Sequence, residues 1–576
     1  MPKQELSAGM TGTGWTVVRG RTREPFSVEI LGVLANQVAP GRDMILVEVS
    51  SPAIGRAGGT WAGMSGSPVY VGGKLVGALA YGMGNAAGDT AIAGLTPAED
   101  MLRVLSYPLA ATRSAAVASP RVALPRRVAE AVAERLGVSV AKASSLSQLK
   151  LPFSVSGVNA RALQRVQRYA DARSLPLLAV AGSSASRTAS VASAAAAPEP
   201  GDNGAAAASY GDVTLAGIGT VTYVCAGRTL MFGHPLGFFG PATLGLNAAD
   251  ALGVVPSPAY VPFKLATIAE PLGTVDQDPL AGLRGVLGLE PPRIPLRSSV
   301  SVPAVGTRLD GATDVVLEEI AGFATFLHVG MSIESAFDGS RPGTATAGWT
   351  IEGTRAGGAP WRLSRSNIYA SRGEVGFETG FEVGMQIDEI LLNPFEDVRV
   401  SGVRFDAAVR EGRAALTIQR VLVAKGRGPY RKRQVVRAAP GEPIRVRVVL
   451  KPAERGRPSR HVDLAFRLPR NAPPIGFLEI SGPSSPMEEE CMIEEMECGG
   501  GGGSEPASFD ALLRQLERAP RNNVLEAKLR VGPGMRVKAK KTRTFDAVVR
   551  GHAFVQIRGR GGGGGEGHAE VIVVGP

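Results

Sequence analysis

Short runs of β-branched residues, separated by glycines and prolines, extend along most of this chain. The N-terminal part contains TVVRG, FSVEILGVL and MILVEVS, and later segments keep the same texture. Among the 576 residues are 74 glycines and 41 prolines. Both residue types destabilise helix interiors and favour turns, so the pattern is typical of strands joined by turns. The sequence therefore predicts a mainly β protein, long enough for about four domains.

One region has the periodicity of helices instead. Val128, Val132 and Leu136 recur every four residues and are followed by Gly137, which predicts an amphipathic helix with a glycine cap. A second helix is predicted to begin at Asn159.

Two segments have the composition of linkers. Residues 182–209 are rich in Ala, Ser and Gly and contain almost no large apolar side chain, and residues 487–507 contain an acidic run followed by glycines. Both are predicted to be flexible or exposed. Beyond the second, Ser508 is predicted to cap a helix, and strands such as AFVQIRG and AEVIVVG to close the chain.

The segment WAGMSGSPVYVGGKLVGALAYG joins a glycine-rich turn to a predicted hairpin. A serine nucleophile needs a turn that exposes its hydroxyl while backbone N–H groups face the developing oxyanion. Gly63 and Gly66 flank Ser65 and can adopt the dihedral angles of such a turn. Ser65 is therefore a candidate nucleophile, with the N–H groups of Gly63 and Ser65 as oxyanion donors. The alternative is a Gly/Ser turn with no chemistry.

A serine nucleophile also needs a general base. The chain has five histidines, and His234, within LMFGHPLG, is the one in a comparable setting. Gly233 and Pro235 restrict the backbone there, and apolar neighbours can shield the ring from water. The alternative is a hydrogen-bonded core histidine.

Composition argues against several other classes. Three cysteines without CxxC spacing and the absence of HExxH leave no zinc motif, and no cofactor is expected. The net charge is +11, but the basic residues are scattered, so no nucleic-acid partner is expected. No apolar run reaches the roughly 18 residues of a membrane span. Residues 1–10 lack the apolar core of a signal peptide, so either the protein stays inside or an export signal lies upstream.

Two parts of the chain resemble the two halves of a known family. The first contains GTGWTVVRGRTREPFSVEILGVL, AGMSGSPVYVGGKLVGALAYG and AGLTPAEDML; the second contains GIGTVTYVCAGRTLMFGHPLG and FKLATIAEPLGTVDQDPLAGLRGVLG. They resemble the serine-bearing and histidine-bearing halves of the SpoIVB peptidase family, a branch of the chymotrypsin-like serine peptidases. The resemblance implies a double β-barrel that hydrolyses a protein or peptide substrate, with Ser65 as nucleophile and His234 as base. Gly66 and Ser67 would support the turn.

This sequence departs from the family pattern in two respects. The histidine half comes first in the family, whereas Ser65 precedes His234 here, which indicates a permuted arrangement. The family's acidic residue lies on the strand before the nucleophile turn, where MILVEVSSP places Ser50. Glu48, on the same face of that strand, and Asp278, in GTVDQDPLAG, are the alternatives for orienting the imidazole.

The predicted fold is a chymotrypsin-like double β-barrel with a helical insertion, followed by β-sandwich-like domains. The predicted segments are a serine-bearing barrel half (1–105), a helical insertion (106–181), an Ala/Ser-rich linker (182–209), a histidine-bearing barrel half (210–290), a β-rich domain (291–400), an Ig-like β-sandwich (401–486), an acidic and glycine-rich linker (487–507) and a C-terminal helix with strands (508–576). Two functions are compatible with this organisation: a serine endopeptidase exported to the periplasm or cell envelope, and a catalytically impaired envelope scaffold that retains the fold.

Overall fold

The computed structural model describes residues 1–108, 121–187, 197–256, 261–470, 475–483, 505–532 and 535–559. These residues form two compact units. Met1–Leu296 and Ala312–Leu327 belong to the first unit, whereas Arg297–Gly311 and the described residues from 328 onward belong to the second.

The first unit begins with a 3-10 turn at Lys3–Glu5 and contains most of the strands near the predicted site. Its elements are β1 (Thr11–Val17), β2 (Arg23–Ala39), β3 (Arg42–Ser50), α1 (Pro52–Ala57), β4 (Pro68–Val71), β5 (Lys74–Ala87), β6 (Thr90–Pro97), α2 (Ala98–Val104), β7 (Arg121–Ala123), α3 (Arg126–Leu136), β8 (Ser145–Gln148), β9 (Leu151–Ser156), α4 (Ala160–Ala172), β10 (Leu177–Ala181), β11 (Asn203–Gly211), β12 (Thr214–Cys225), β13 (Arg228–Met231), β14 (Gly240–Val255), β15 (Phe263–Asp278) and β16 (Leu283–Leu287). The unit boundaries fall within β17 (Ile294–Val302), β18 (Thr307–Val315) and α5 (Ala321–Ala336).

The strands β1 to β6 form the first barrel. They pair antiparallel in the order β4, β1, β2, β3, β6, β5, and a further pairing of β4 with β5 closes the ring. Phe26, Val28 and Ile30 alternate along β2, and each is at most 3% exposed. This period of two places one face of the strand in the barrel core.

The strands β11 to β16 form a second closed barrel, in the order β12, β13, β16, β15, β14, β11, with β11 pairing back to β12. Two closed six-stranded barrels confirm the predicted fold class. Ala205, Ala207 and Ala216, on the neighbouring strands β11 and β12, belong to one buried cluster of mainly small residues. A larger residue would not fit at Gly204, because a Cβ atom there would lie 2.7 Å from Cε of Met231.

The prediction of a linker over residues 182–209 was wrong for its C-terminal part. Asn203–Gly211 is strand β11, and its alanines are almost completely buried. Alanine and glycine have low strand propensity, and their run resembles a flexible linker. Here both faces of β11 are buried, and close packing on each face selects these small residues.

The predicted helices of residues 106–181 are confirmed, but this insertion also contains strands. Helix α3 ends at Gly137, which has φ +62°, and the Asn159 side chain caps α4. Strand β8 pairs with β5 of the first barrel, and β9 pairs with β12 of the second. Residues 148–151 therefore run from one barrel to the other.

The second unit is also mainly β. A 3-10 turn at Glu318–Ile320 still belongs to the first unit. The remaining elements of the second unit are β19 (Gly343–Arg355), β20 (Pro360–Ser371), α6 (Val375–Leu391), β21 (Val398–Glu411), β22 (Ala415–Lys425), β23 (Arg431–Lys432), β24 (Val435–Ala438), β25 (Pro443–Pro452), β26 (Arg460–Arg467), β27 (Ile475–Ser481), α7 (Phe509–Arg518), β28 (Val524–Val531), β29 (Arg536–Thr544), β30 (Val548–Arg550) and β31 (His552–Gly559).

Helices α5 and α6 lie within the predicted β-rich domain (291–400), and the sequence analysis did not identify them. Both helices are apolar over much of their surface, so they lack the amphipathic periodicity that identifies a helix in a sequence. Helix α6 packs on β19 and β20, where the Trp349 indole donates a 2.9 Å hydrogen bond to Gln386. None of the described helices is both long and apolar enough to cross a membrane.

The predicted β-sandwich is present and includes the C-terminal strands. One sheet contains β22, β23, β25, β26 and β30, and the other contains β24, β27, β28, β29 and β31. Apolar residues from both sheets share one core. Ser508 caps α7 as predicted, and AFVQIRG lies in β31. Most of the predicted acidic linker and the predicted strand AEVIVVG lie outside the described residues.

Candidate active site

Ser65 lies in a tight turn between α1 and β4. Gly63 and Gly66 have φ values of +91° and +90°, in the left-handed region that favours glycine. The side chains of Trp61 and Met64 are fully buried in the core of the first barrel and anchor the turn. The local sequence therefore fixes both the backbone path and the depth of the serine.

Neighbouring hydroxyl and amide groups hold this turn in place. The Ser67 hydroxyl donates a 2.6 Å hydrogen bond to the Met64 carbonyl, which fits its predicted supporting role. On β12, the Thr220 N–H donates to the Ser65 carbonyl at 2.8 Å, and the Thr222 hydroxyl donates to the Gly66 carbonyl at 2.7 Å. The second barrel thus fixes the serine turn of the first.

His234 lies in the loop that follows β13. Phe232 and Gly233 precede it with φ values of +71° and +68°, and the Phe232 side chain is fully buried. A left-handed backbone is costly for phenylalanine, so the surrounding contacts must impose this conformation.

The structure brings Ser65 and His234 together. Nε2 of His234 lies 2.9 Å from Oγ of Ser65, within the range expected for a nucleophile and its base. Both side chains are 0% exposed. Burial lowers the pKa of His234 from 6.5 to about 4, and the Pro235 and Leu149 carbonyls oppose this shift only partly. The imidazole is therefore neutral at physiological pH, as a general base must be.

The other ring nitrogen of His234 faces neutral groups. Its Nδ1 lies 2.7 Å from the side-chain amide of Gln148 and 2.8 Å from the carbonyl oxygen of Pro235. Among the described contacts of this ring, no carboxylate takes part.

Glu48 was predicted as one candidate for orienting His234, and this prediction was wrong. Its carboxylate pairs instead with Arg135 on α3. The sequence suggested Glu48 because it shares a strand face with Ser50, but the cation on α3 determines its direction.

Asp278 orients the histidine loop rather than the ring. Its carboxylate accepts hydrogen bonds from the N–H groups of Leu236, Gly237 and Phe239, at 2.8, 2.8 and 3.2 Å. Burial raises the pKa of Asp278 to about 7, although these hydrogen bonds act in the opposite direction. The prediction of direct contact with His234 was therefore wrong. Asp278 instead fixes the segment that begins at Leu236, two residues after His234.

The two predicted oxyanion donors differ in whether they already donate a hydrogen bond. The Gly63 N–H donates to the Lys150 carbonyl at 3.2 Å, so this donor is occupied. Within the described residues, the Ser65 N–H has no acceptor. The Gly63 N–H must separate from Lys150 before it can bind an oxyanion.

Lys264 is a buried residue of this site that the sequence analysis missed. It is 0% exposed, and its Nζ donates a 2.7 Å hydrogen bond to Oδ1 of Asn203. Burial lowers the pKa of Lys264 to about 7. Its backbone N–H donates to the Ala62 carbonyl, and its Cβ would lie 3.0 Å from a Cβ on Gly63. Its place among the apolar residues of FKLATIAEP was the available signal.

The second unit contains another buried serine–histidine pair. Comparing the two pairs shows which features of the Ser65 site go beyond a hydrogen bond between serine and histidine. Nε2 of His328 lies 2.8 Å from Oγ of Ser298. Ser298 is in the middle of strand β17, not in a turn with glycines. Burial lowers the pKa of His328 to about 3. The hydrogen bond alone does not make a nucleophile site, because this pair lacks a turn that aims backbone N–H groups at an oxyanion.

The described residues contain no group of three or more His, Cys, Asp or Glu side chains placed to hold a metal ion.

A comparison with known families supports the resemblance. Residues 3–89 match the family described as SpoIVB peptidase S55. This segment contains the Ser65 turn, whereas His234 and Asp278 lie beyond it. Neither the curated proteins nor the solved structures gave a match to the chain.

Proposed function

We propose that this chain, with its SpoIVB peptidase S55 segment, is a serine endopeptidase in which Ser65 is the nucleophile and His234 the general base. The observation that carries the proposal is the 2.9 Å contact between Ser65 Oγ and His234 Nε2. The two residues come from different barrels, and each lies in a turn with left-handed backbone angles. Such a pair is recognised by geometry rather than by chain order.

The chemistry follows from these groups. Ser65 Oγ attacks the peptide carbonyl carbon while Nε2 of His234 accepts the hydroxyl proton. The N–H groups of Gly63 and Ser65 then stabilise the oxyanion of the tetrahedral intermediate. His234 donates its proton to the leaving amine, and water hydrolyses the acyl-enzyme by the same steps.

Substrate entry requires movement of the Lys150 carbonyl away from the Ser65 turn. Ser65 and His234 are fully buried, and the Lys150 carbonyl accepts the hydrogen bond of the Gly63 N–H. A substrate carbonyl must displace the Lys150 carbonyl to reach this donor. The described conformation is therefore a closed form in the proposed cycle.

The direct test is labelling of the full chain with a fluorophosphonate probe, followed by mass spectrometry of the labelled peptide. We expect the label on Ser65, because the probe reacts with a serine activated by a neutral base. The Ser67→Ala variant should still be labelled, since Ser67 only supports the turn. A label on another serine, or none on folded protein, would contradict the proposal.

The pH dependence of the reaction should reflect the buried imidazole. His234 accepts a proton only when neutral, and protonation follows as pH falls through about 4. The rate constant for labelling should therefore rise with pH through about 4, whereas an ordinary histidine would titrate near 6.5.

Asp278 provides the control for this profile, because its own titration near pH 7 can perturb the histidine loop. In the Asp278→Asn variant, the labelling rate constant should still rise with pH near 4, and any change near pH 7 should be lost. A labelling rate constant that rises only near pH 6.5 in both proteins would show that the His234 imidazole is not buried during the reaction.

A second candidate function is a scaffold that retains the peptidase fold without activity. The occupied Gly63 N–H and the neutral groups around Nδ1 of His234 favour it. Absence of labelling in folded protein, at every pH from 4 to about 9, would support this candidate.

A further inference from the structure

Gln148 occupies the position beside His234 that the acidic residue takes in a serine protease triad. It ends strand β8, and its pairing with Tyr81 on β5 fixes the backbone beside the first barrel. The side chain is 7% exposed. Its amide nitrogen lies 2.7 Å from Nδ1 of His234 and 3.3 Å from the Pro235 carbonyl oxygen. Gln148 therefore contacts Nδ1, the ring nitrogen that does not contact Ser65.

The contacts of Nδ1 determine which ring nitrogen can act as a base. A neutral imidazole carries one proton, and Nε2 can accept the Ser65 proton only when Nδ1 holds the ring proton. The Pro235 carbonyl, 2.8 Å from Nδ1, can only accept a hydrogen bond and so favours this tautomer. A glutamine can present either its oxygen or its nitrogen to the ring after a half turn of the amide. In the described orientation the amide nitrogen faces Nδ1 and donates to the Pro235 carbonyl. The half turn that brings the amide oxygen to Nδ1–H gives up this bond and produces the orientation that supports Nε2 as the base.

A neutral amide differs from a carboxylate in one respect. It can orient the ring, but it contributes no negative charge to stabilise the imidazolium that forms during proton transfer. Glu48 pairs with Arg135, and Asp278 is bonded to backbone N–H groups of the following loop. Within the described residues, neither carboxylate contacts the ring.

On the basis of the proposed function, we propose that Gln148 is the positioning residue of the Ser65–His234 pair and replaces the acid of the triad with a neutral amide. It acts through His234 and does not touch the reacting atoms. The pair then resembles a dyad with a fixed ring but without a counter-charge.

The test uses two substitutions of nearly equal size in the full chain. Gln148→Met removes hydrogen bonding, and we expect kcat to fall by about 10-fold or more with little change in KM, because orientation affects proton transfer and not substrate binding. Gln148→Glu supplies the missing charge, and we expect kcat at neutral pH to equal or exceed that of the wild type. Thermal unfolding and circular dichroism identify any variant that fails to fold.

The pH profile distinguishes positioning from a merely structural role. A carboxylate beside Nδ1 favours the imidazolium, so Gln148→Glu should move the acid limb of kcat/KM to higher pH by about one pH unit or more. Asp278, Lys264 and Tyr81 are buried ionisable groups on elements packed against the pair, and all three are unchanged in this variant. An acid limb at the wild-type pH in folded Gln148→Glu, or wild-type kcat in Gln148→Met, would overturn the proposal.

An NMR titration separates failure of this proposal from failure of the proposed function. In protein labelled with ¹⁵N-histidine, the ring signals of His234 are assigned by their loss in His234→Gln. We expect the His234 ring to titrate at higher pH in Gln148→Glu than in the wild type, whether or not the protein hydrolyses peptides. Activity that survives Ser65→Ala would overturn the proposed function alone, and a His234 titration that does not respond to Gln148→Glu would overturn the role of Gln148 alone.

Discussion

Replacing Ser65 or His234 with alanine is expected to lower kcat/KM for peptide hydrolysis by about 10⁴-fold to 10⁶-fold. Ser65→Ala removes the attacking oxygen, and His234→Ala removes the only base within hydrogen-bond distance of it among the described residues. The double variant should be no slower than the slower single variant, because the two groups act in the same step. Initial rates on a fluorogenic peptide library would measure all three.

The pair in the second unit provides the matched control for this experiment. Ser298→Ala removes a hydroxyl that is also bonded to a buried histidine, at 2.8 Å. We expect kcat/KM to stay within about twofold of the wild type, because that pair has no turn that binds an oxyanion. A loss in Ser298→Ala comparable to that in Ser65→Ala, in folded protein, would refute the assignment of the active site.

The sequence was sufficient to predict the contact between Ser65 and His234, because the signals of both residues are local. Gly63 and Gly66 mark a turn with left-handed backbone angles, and the predicted hairpin that follows is present, with its turn at Gly72 and Gly73. His234 was recognisable because few histidines compete and its neighbours restrict the backbone. The resemblance to a known family then connected the two segments, although they are far apart in the chain.

The group that orients His234 was not predictable in this way. Gln148 lies in SLSQLK, a segment with no distinctive pattern, and it reaches the ring only because β8 pairs with β5. Glu48 and Asp278 were chosen for their charge and sequence position, but the tertiary partners of a carboxylate determine where it points. Arg135 holds the first, and the backbone N–H groups of 236–239 hold the second.

The missed elements have a similar cause. Strand β11 is made of small residues that signal a linker, and the crowded barrel that selects them is a long-range property. Helix α5 is only weakly amphipathic and is buried along most of its length, so its period of 3.6 residues is not prominent in the sequence. Local patterns therefore identified elements with one buried and one exposed face, and failed where burial surrounds the element.

The Gly66→Ala substitution is expected to lower the free energy of unfolding of the first unit by about 2 to 5 kcal/mol. The first part of this cost is the backbone angle, since φ at Gly66 is +90°. The second is steric, because a Cβ atom would lie 2.1 Å from the Thr220 carbonyl oxygen and 2.5 Å from the Phe232 nitrogen. Both contacts are backbone atoms of the second barrel and cannot rotate away. Pulse proteolysis in urea, with fragments of residues 1–296 identified by mass spectrometry, would measure the loss.

Gly58→Ala separates these two costs. Gly58 has φ +82°, close to that of Gly66, but a Cβ atom there would have no neighbour within 4 Å. We therefore expect it to lose only about 1 to 2 kcal/mol and to keep its activity, since only the backbone angle is affected. Gly66→Ala should also lower kcat/KM by about 100-fold, because relief of the clash displaces Ser65 from His234. Equal losses of stability and equal activities in the two variants would show that the close approach of β12 to the Ser65 turn does not fix the nucleophile.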